Sequence, residues 1–405
     1  MTLPSQSSRP TILSLPNSSF PSITGTDQPL ASPDLSTPDG VKSYLLSTEF
    51  AAVEVQTLTG GQLGFTYRVT LEDTTLRKSV VLKHTSDHAS FELDFQLGAD
   101  RLTFEYEALT AIAGSGLVTA ESTVQVPRAL FYDPLAYVLI MEDVAPARSL
   151  STVLIEAFED GTIQSVSAQI GAVLGDFMGR FYKWGAQPEQ AGLRHRFSEN
   201  IASKDTAVRL RYGFMIEKAE KYGMKKEWMG AFVKQGIKDA DESGSTLIMG
   251  DFWVGKFPLL LYLRYSNSIL LIDNVLVSNV PELRVYVIDW ELARCGRPEI
   301  DVGGMAASLY GIACIHPSYS SKLDFMQNFM WGHGKHFELD DVQIAFCAGM
   351  SAICLSADKP WTKSRDEVTW RAMVQCGIDL LEAGIARDLE AITSNIIVEN
   401  MHARN

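Results

Sequence analysis

Apolar residues divide the chain into a strand-rich first part and a helical second part. Short apolar runs of the kind that form strands fill much of the region up to about residue 145. From Ser149 onward, apolar residues recur at helical spacing. We therefore predict a two-lobed α+β protein. The predicted strands are Ala52–Leu58, Phe65–Leu71, Ser79–Lys83, Val126–Tyr132 and Ala136–Met141, and the predicted helices are Val41–Thr48, Asp100–Ile112, Ser165–Trp184, Ser198–Asp239, Asp340–Leu355 and Asp366–Leu381.

Residues 1–38 differ from the remainder in composition, being rich in Ser, Thr and Pro and poor in charge. This composition favours a disordered tail. The segment has neither a signal-peptide core nor the several basic residues of a transit peptide, and no apolar run elsewhere reaches membrane-spanning length without charge. We expect a cytoplasmic protein without membrane attachment, with a β-rich N-lobe over residues 39–145 and a helical C-lobe over residues 146–405.

The charge balance and the cysteines narrow the range of partners. Lys and Arg number 35 against 49 Asp and Glu, a net charge of −14. This balance argues against a nucleic-acid partner or an anionic membrane, and it is compatible with a cationic substrate. The five cysteines form no C-x-x-C pair, so reduced thiols and no zinc site are expected. Nothing in the sequence indicates an oligomeric state.

The stretch from Leu247 to Arg294 carries the strongest chemical signal. Two apolar runs within it each lead to an aspartate, Asp251 and Asp289, and Asn274 precedes the second. Phosphoryl transfer from ATP uses such a set, in which one Asp accepts the proton of the attacking hydroxyl while an Asn and a second Asp bind Mg²⁺. An aspartate after an apolar run is also common as a plain turn residue, so this interpretation needs partners elsewhere.

A glycine-rich turn and a lysine are two such partners. Gly60, Gly61 and Gly64 lie between two predicted strands, and Lys83 ends the next strand. Glycines allow backbone N–H groups to approach phosphates without a Cβ clash, and a strand lysine can contact the α and β phosphates. The alternatives are an ordinary hairpin turn and a solvent-facing lysine.

Glu105 lies on the mostly apolar face of the predicted helix Asp100–Ile112. Burying a carboxylate there without a partner would be costly. An ion pair with Lys83 would remove this cost and orient the lysine. The alternative is a solvated glutamate at the edge of the helix, and Glu107 is the second candidate for the pairing role.

An acidic segment after the run Ala136–Met141 is typical of a hinge between two lobes. The apolar strand leads into Glu142-Asp143-Val144, followed by Ala145-Pro146. The backbone at Glu142 and Val144 is predicted to hydrogen-bond adenine.

Taken in order, these parts resemble the aminoglycoside phosphotransferase and choline kinase family of protein-kinase-like small-molecule kinases. The resemblance covers about residues 45–310 and is strongest around Gly250-Asp251 and Ile288-Asp289-Trp290-Glu291. It implies ATP and Mg²⁺ as cofactors and a small-molecule hydroxyl as acceptor; methylthioribose kinases are a related alternative. The implied roles are Asp251 as catalytic base, Asn274 and Asp289 as Mg²⁺ ligands, Lys83 and Glu105 as the phosphate-positioning pair, and Gly60 to Gly64 as the nucleotide cover.

The sequence departs from the family pattern at two places. Met249 stands where the family usually has a histidine that supports the catalytic loop. Asn274 follows Asp251 by 23 positions, whereas the family spacing is five. Long separations make the paired geometry entropically harder to hold, so the chain as written is expected to be a poor enzyme.

The additional segment, residues 255–273, is apolar and has no clear period. Its ends can be encoded with a GT donor at Gly255-Lys256 and an AG acceptor at Ile272-Asp273, and excision between them removes eighteen codons and restores the family spacing. We therefore expect a translated intron; a genuine insertion that loops out is the alternative. Genomic DNA lacking GT and AG at these codons would exclude the intron.

The expected function is ATP-dependent phosphotransfer to a hydroxyl of a small molecule. The alternative is a catalytically impaired, pseudokinase-like nucleotide-binding or scaffold protein, because of Met249 and the interrupted loop. A protein kinase is less well supported, since the chain has no His-Arg-Asp or Asp-Phe-Gly motif. Glu291, Glu299 and Asp301 would suit an amine-bearing acceptor, or they are structural.

Overall fold

An antiparallel sheet in the first part of the chain and a group of helices in the second define the architecture. The computed structural model describes residues 33–58, 64–89, 92–241, 244–254, 274–315, 324–356 and 367–401. The α+β fold class predicted from the apolar pattern is confirmed. Residues 1–32 of the predicted tail, Gly60, Gly61 and the additional segment 255–273 lie outside the described residues.

The elements are numbered here in chain order. The strands are β1 (Ala52–Thr57), β2 (Phe65–Leu71), β3 (Ser79–His84), β4 (His88–Ala89), β5 (Glu92–Gln96), β6 (Val124–Gln125), β7 (Ala129–Asp133), β8 (Val138–Glu142), β9 (Arg148–Ser149), β10 (Thr246–Ile248), β11 (Val275–Ser278), β12 (Arg284–Val287) and β13 (Arg294–Gly296). The α-helices are α1 (Pro38–Leu45), α2 (Arg101–Gly114), α3 (Leu150–Glu159), α4 (Ile163–Ala186), α5 (Ala191–Phe197), α6 (Ile201–Ala207), α7 (Phe214–Lys221), α8 (Met229–Asp241), α9 (Glu299–Ile315), α10 (Phe325–His333), α11 (Asp341–Leu355), α12 (Glu367–Ala386) and α13 (Leu389–Ser394).

The main sheet has five antiparallel strands in the order β1-β2-β3-β8-β7. Alternate residues of β2 and β3 are buried, as expected where one face of a sheet packs against a core. Helix α1 lies against this core; it begins at Pro38, and the Thr37 side chain caps it by accepting a hydrogen bond from Gly40 N at 3.1 Å. The buried residues of this core include Val41, Leu45, Tyr67, Val69, Val80, Leu82, Val138 and Ile140.

Helix α2 connects the sheet to the larger helical core. Its buried face includes Leu102, Leu109 and Ile112, which join the larger core, and it also carries Glu105 at 1% exposure. The prediction that Glu105 shares this apolar face is therefore confirmed. A buried glutamate requires a partner.

The backbones of helices α4 and α10 in the C-lobe lie unusually close together. Gly171, Gly175 and Gly179 recur every fourth residue along α4. A Cβ on Gly175 would lie 2.0 Å from the carbonyl oxygen of Phe329, and one on Gly171 would lie 2.3 Å from that of Phe325. Only glycine at these positions allows the two backbones to approach so closely.

Two small antiparallel ladders carry the segments that contain the candidate aspartates. β10 pairs with β13, and Asp251 follows β10 by a short loop. β11 pairs with β12, so that Val275 lies opposite Val287, with Asn274 just before one strand and Asp289 just after the other. The pairing therefore brings Asn274 and Asp289 to the same end of a hairpin.

The stretch from Ser198 to Asp239, predicted to be helical, is divided into several helical segments. The chain there forms α6, a π-helical segment Val208–Gly213, α7 and α8. Gly223, at φ +69°, follows the end of α7 and reverses the chain in a left-handed conformation that glycine adopts without strain. No helix among the described residues is long and apolar enough to cross a lipid bilayer.

Candidate active site

Lys83 lies between two carboxylates. Its Nζ is 2.7 Å from Glu105 Oε1 and 2.5 Å from Asp289 Oδ1. The predicted ion pair between Lys83 and Glu105 is thereby confirmed. The contact with Asp289 joins β3 of the main sheet to the hairpin β11–β12 of the second part of the chain.

Burial and the neighbouring charges together set the pKa values of Lys83 and Glu105. Burial alone would lower the pKa of Lys83, but the nearby carboxylates of Asp289 and Glu105 outweigh it and raise that pKa above its ordinary value. Burial raises the pKa of Glu105 to about 7, against the lowering effect of the Lys83 ammonium. Lys83 therefore stays charged at neutral pH, as a phosphate-binding lysine must.

Asn274 contacts Asp251 although 23 positions separate them. The Asn274 side-chain amide donates to the backbone oxygen of Asp251 at 2.7 Å and to its Oδ2 at 2.9 Å. The side chains predicted to act as base and as metal ligand are thus adjacent in the structure. Their contact is compatible with both the intron and the insertion hypotheses, because the intervening segment lies outside the described residues.

The loop before Asp251 is held through its backbone. The buried Asp301 carboxylate at the start of α9 accepts from Met249 N at 2.8 Å and from Gly250 N at 2.8 Å. Tyr182 OH donates to the same carboxylate at 3.1 Å. These bonds do not involve the side chain at position 249, so the replacement of the family histidine by Met249 leaves this support intact.

Two residues of the site have left-handed backbone conformations. Gly250 has φ +82°, and a Cβ there would lie 2.2 Å from the carbonyl oxygen of Leu292. Asp289 has φ +69° and ψ +60°, which few non-glycine residues adopt. The close approach of Gly250 to Leu292 brings the loop that carries Asp251 against the turn that follows Asp289.

The predicted hinge lines an open cleft with a cavity volume of about 80 Å³. Asp143 is anchored there by Arg68 Nε at 2.8 Å and by Ser79 Oγ at 2.7 Å. Glu142 N donates to Arg128 O at 3.0 Å. The apolar lining includes Leu58, Val81, Met141, Leu276 and Ile288, and the polar lining includes Lys83, Asn274 and Asp289.

The glycine-rich turn is described only at its end. Gly64 lies against β3, where a Cβ would come within 3.0 Å of His84 O. Gly60 and Gly61 lie outside the described residues. A role of this turn in covering a nucleotide remains a prediction.

The donor set at Asn274 and Asp289 fits Mg²⁺. Both side chains line the cleft, and carboxylate and amide oxygens are the ligands that Mg²⁺ prefers. Because the Asn274 amide nitrogen is bonded to Asp251, its oxygen is the atom left for a metal. The described residues contain no group of three His, Cys, Asp or Glu side chains that could hold a metal ion.

The acidic residues considered for an amine-bearing acceptor bond to the protein itself. Glu291 Oε2 accepts from Arg101 Nε at 3.1 Å, and Glu299 Oε1 accepts from Asp340 N at 3.0 Å. Asp301 holds the Met249–Gly250 backbone. The structural interpretation of these three carboxylates is therefore the one that the contacts support.

Three sets of contacts were not predicted from the sequence. Glu107, the second candidate for pairing Lys83, instead contacts Arg196 Nε at 2.9 Å on α5. No contact of Arg101 was predicted. Its spacing of four from Glu105 places two charged residues on one buried helical face, and this pattern is typical of a buried ionic network. Asp143 lies in the predicted hinge, but its hydrogen bonds with Arg68 and Ser79 were not predicted.

These features define the class of protein. A five-stranded antiparallel sheet, a helical second lobe and a lysine held between a helix glutamate and an aspartate are the parts of a protein-kinase-like small-molecule kinase.

The comparisons place the chain within that class. It is 31% identical over 287 residues to a 4-hydroxytryptamine kinase of Psilocybe cyanescens, covering 69% of this chain and 74% of that protein. It is 30% identical over 286 residues to a 4-hydroxytryptamine kinase of Psilocybe cubensis, covering 69% and 75%. Among solved structures, it is similar to a choline kinase from Cryptosporidium parvum Iowa II, with a TM-score of 0.45, 11% identity and coverage of 89% and 98%. No family model matches.

The chain belongs to the aminoglycoside phosphotransferase and choline kinase family. Members of this family are ATP-dependent kinases that act on hydroxyl groups of small molecules.

Proposed function

We propose that this protein transfers the γ-phosphoryl group of ATP to the hydroxyl of a small hydroxylated aromatic amine. One observation carries the proposal: Lys83 bonds both Glu105 and Asp289, while Asn274, which lines the same cleft, bonds Asp251. The three side chains around Lys83 and the pair formed by Asn274 and Asp251 both reach the same cleft, and this supports an arrangement of the kind that phosphoryl transfer uses.

Asp251 is the proposed base. Its carboxylate would accept the proton of the acceptor hydroxyl, and the hydrogen bond from Asn274 at 2.9 Å fixes the orientation of that carboxylate. Positioning and charge stabilisation supply most of the catalysis in such transfers. Lys83 would neutralise phosphate charge, and Glu105 would keep the lysine in place.

The cleft would hold the nucleotide. Adenine would lie between apolar residues of β3, β8 and β11, with the carbonyl of Glu142 and the N–H of Val144 as its hydrogen-bond partners. Asn274 and Asp289 would hold Mg²⁺, which supplies charge neutralisation at the phosphates. The finer assignment of Gly60, Gly61 and Gly64 to the nucleotide belongs to this proposal.

The acceptor is proposed from the relatives. Two relatives that are 31% and 30% identical to this chain are 4-hydroxytryptamine kinases. The matched region covers about three quarters of each of them. A 4-hydroxytryptamine carries both a hydroxyl for transfer and a cationic amine, which agrees with the net charge of −14.

The test is ADP release from Mg·ATP with 4-hydroxytryptamine, choline, ethanolamine, amino sugars and methylthioribose as acceptors. The proposal expects turnover that is strongest with 4-hydroxytryptamine. Preference for another acceptor would retain the kinase and overturn the acceptor. Nucleotide binding without turnover of any acceptor would favour the pseudokinase-like alternative.

A further inference from the structure

Arg101 and Glu291 form a buried ion pair beside the proposed nucleotide site. Arg101 Nε lies 3.1 Å from Glu291 Oε2, and the two side chains are 0% and 8% exposed. Arg101 begins α2, four residues before Glu105. Glu291 follows Asp289 by two residues, in the short 3₁₀ turn Trp290–Leu292.

Further bonds fix both ends of this pair. Arg101 Nη1 donates to Ser86 O and to Gly98 O, each at 2.9 Å, so the guanidinium also holds the segment that leads from β3 into α2. On the other side, Asn200 Nδ2 donates to the backbone oxygen of Glu291 at 3.0 Å. The pair therefore connects two segments that are each held independently.

The pair lies next to the Lys83 cluster. Glu105 Oε1, which accepts from Lys83, also lies 3.4 Å from Trp290 N, in the same turn as Glu291. Helix α2 thus makes two polar contacts with the Asp289 turn, one through Glu105 and one through Arg101. The two residues lie about one helical turn apart, so the two contacts together constrain the position of α2 along this turn.

We propose that Arg101 and Glu291 are positioning residues for nucleotide and Mg²⁺, because they hold Asp289 and the helix that carries Glu105 in register. They touch neither substrate nor metal in this account, and they act through Asp289 and Lys83. The inference rests on the proposed function. It assigns to Glu291 a role as the partner of Arg101 and not as a ligand of the acceptor amine.

The test is the double variant Arg101→Met with Glu291→Gln, in which neither buried charge remains without its partner. Removing one charge alone would leave the other uncompensated, and the protein could unfold for that reason. Loss of positioning residues around a metal site typically weakens metal binding by about 10–100-fold. We expect the KM for Mg·ATP and the Mg²⁺ concentration for half-maximal rate to rise by about tenfold or more, with the KM for the acceptor unchanged.

A second measurement does not depend on turnover. The increase in melting temperature caused by Mg·ADP is expected to shrink in the double variant relative to the unmodified protein. The matched control is Glu107→Gln with Arg196→Gln, which removes a half-exposed pair between α2 and α5. This control is expected to keep both the KM for Mg·ATP and the response to Mg·ADP.

The outcomes separate the two proposals. If the unmodified protein turns over no acceptor, the proposed function fails, whatever the variant does. If it turns over and the folded double variant keeps the KM for Mg·ATP, the pair only stabilises the fold and this inference is overturned. A rise in the acceptor KM alone would assign Glu291 to the acceptor and would also overturn it. The single variant Arg101→Lys keeps the charge but loses the planar fork, and partial retention of the Mg·ATP affinity is expected.

Discussion

At the scale of single residues, Asp289 has a left-handed backbone conformation that is uncommon outside glycine. A left-handed backbone at a non-glycine residue costs about 1–3 kcal/mol. The neighbours that retain it are visible: Ile288 N donates to Asn274 O at 3.0 Å, and Lys83 contacts the carboxylate at 2.5 Å. The strain is thus located at the residue that is proposed to bind the metal.

His333 is a buried titratable residue outside the proposed active site. It is 1% exposed and lies among aromatic side chains, with its ring 5.5 Å from that of Tyr182 and 6.0 Å from that of Phe329. Burial lowers its pKa to about 4 from 6.5. Between these two values the unfolded chain binds a proton at this ring that the folded protein does not.

We therefore predict that His333 makes the protein less stable in acid. Because the folded pKa is depressed, its contribution is fully present above pH 6.5 and is lost as the pH falls through about 4. The free energy of unfolding in urea should fall over this window by less in His333→Phe than in the unmodified protein, by about 2–3 kcal/mol at most. The exposed His195→Gln serves as the control. An identical pH dependence in His333→Phe and the unmodified protein would contradict the prediction.

At the scale of elements, the contact between α4 and α10 depends on glycine. Alanine normally stabilises a helix relative to glycine by about 1 kcal/mol. At Gly175, however, the added Cβ would meet the carbonyl oxygen of Phe329 at 2.0 Å, so the helices must separate or bend. Whether alanine at position 175 stabilises or destabilises the protein therefore depends on packing and not on helix propensity.

We predict that Gly175→Ala destabilises the protein by about 1–3 kcal/mol, the usual cost of overpacking. Gly192→Ala in α5 is the matched control, since a Cβ there would meet nothing within 4 Å. The control should be neutral or slightly stabilising. The two free energies of unfolding, measured by chemical denaturation, decide the point, and equal stability of the two variants would refute it.

At the scale of the whole molecule, the site is assembled from both lobes. Lys83 and Glu105 come from the first part of the chain, whereas Asp251 follows β10 and Asn274 and Asp289 flank the hairpin β11–β12 in the second part. Asp251 and Asn274 meet even though 23 positions separate them. Holding two residues together across a longer segment costs about 0.6 kcal/mol for each doubling of its length.

This cost gives a prediction for the chain without residues 255–272, which leaves Asp273 between Val254 and Asn274. Shortening the separation from 23 to five positions should favour the contact between Asp251 and Asn274 by about 1.3 kcal/mol, equivalent to about a tenfold gain in kcat/KM. The two versions are compared by ADP release under identical conditions. Loss of turnover in the shortened chain would identify the segment as a functional insertion.

The sequence predicts the site better than it predicts the packing. The pairing of Lys83 with Glu105 followed from one rule, that a carboxylate on a buried helix face needs a partner. The apposition of α4 and α10 could not be predicted, because it depends on which backbones meet in three dimensions. The break at Gly223 did have a local signal, a glycine just after the last turn of a helix that ends at Lys221. The spacing of Arg101 from Glu105 indicates a buried charge, but its partner Glu291 lies 190 positions away, and no local pattern identifies that partner.

Asp251 is proposed to accept the proton of an acceptor hydroxyl in phosphoryl transfer from ATP. The most direct measurement is mass spectrometry of 4-hydroxytryptamine after incubation with Mg·ATP and either the unmodified protein or Asp251→Asn. The account predicts a singly phosphorylated product with the unmodified protein and a rate lower by about 10²–10⁴-fold with the variant, the usual contribution of a general base, while Mg·ADP still binds. An unchanged rate in a folded Asp251→Asn variant would contradict the account.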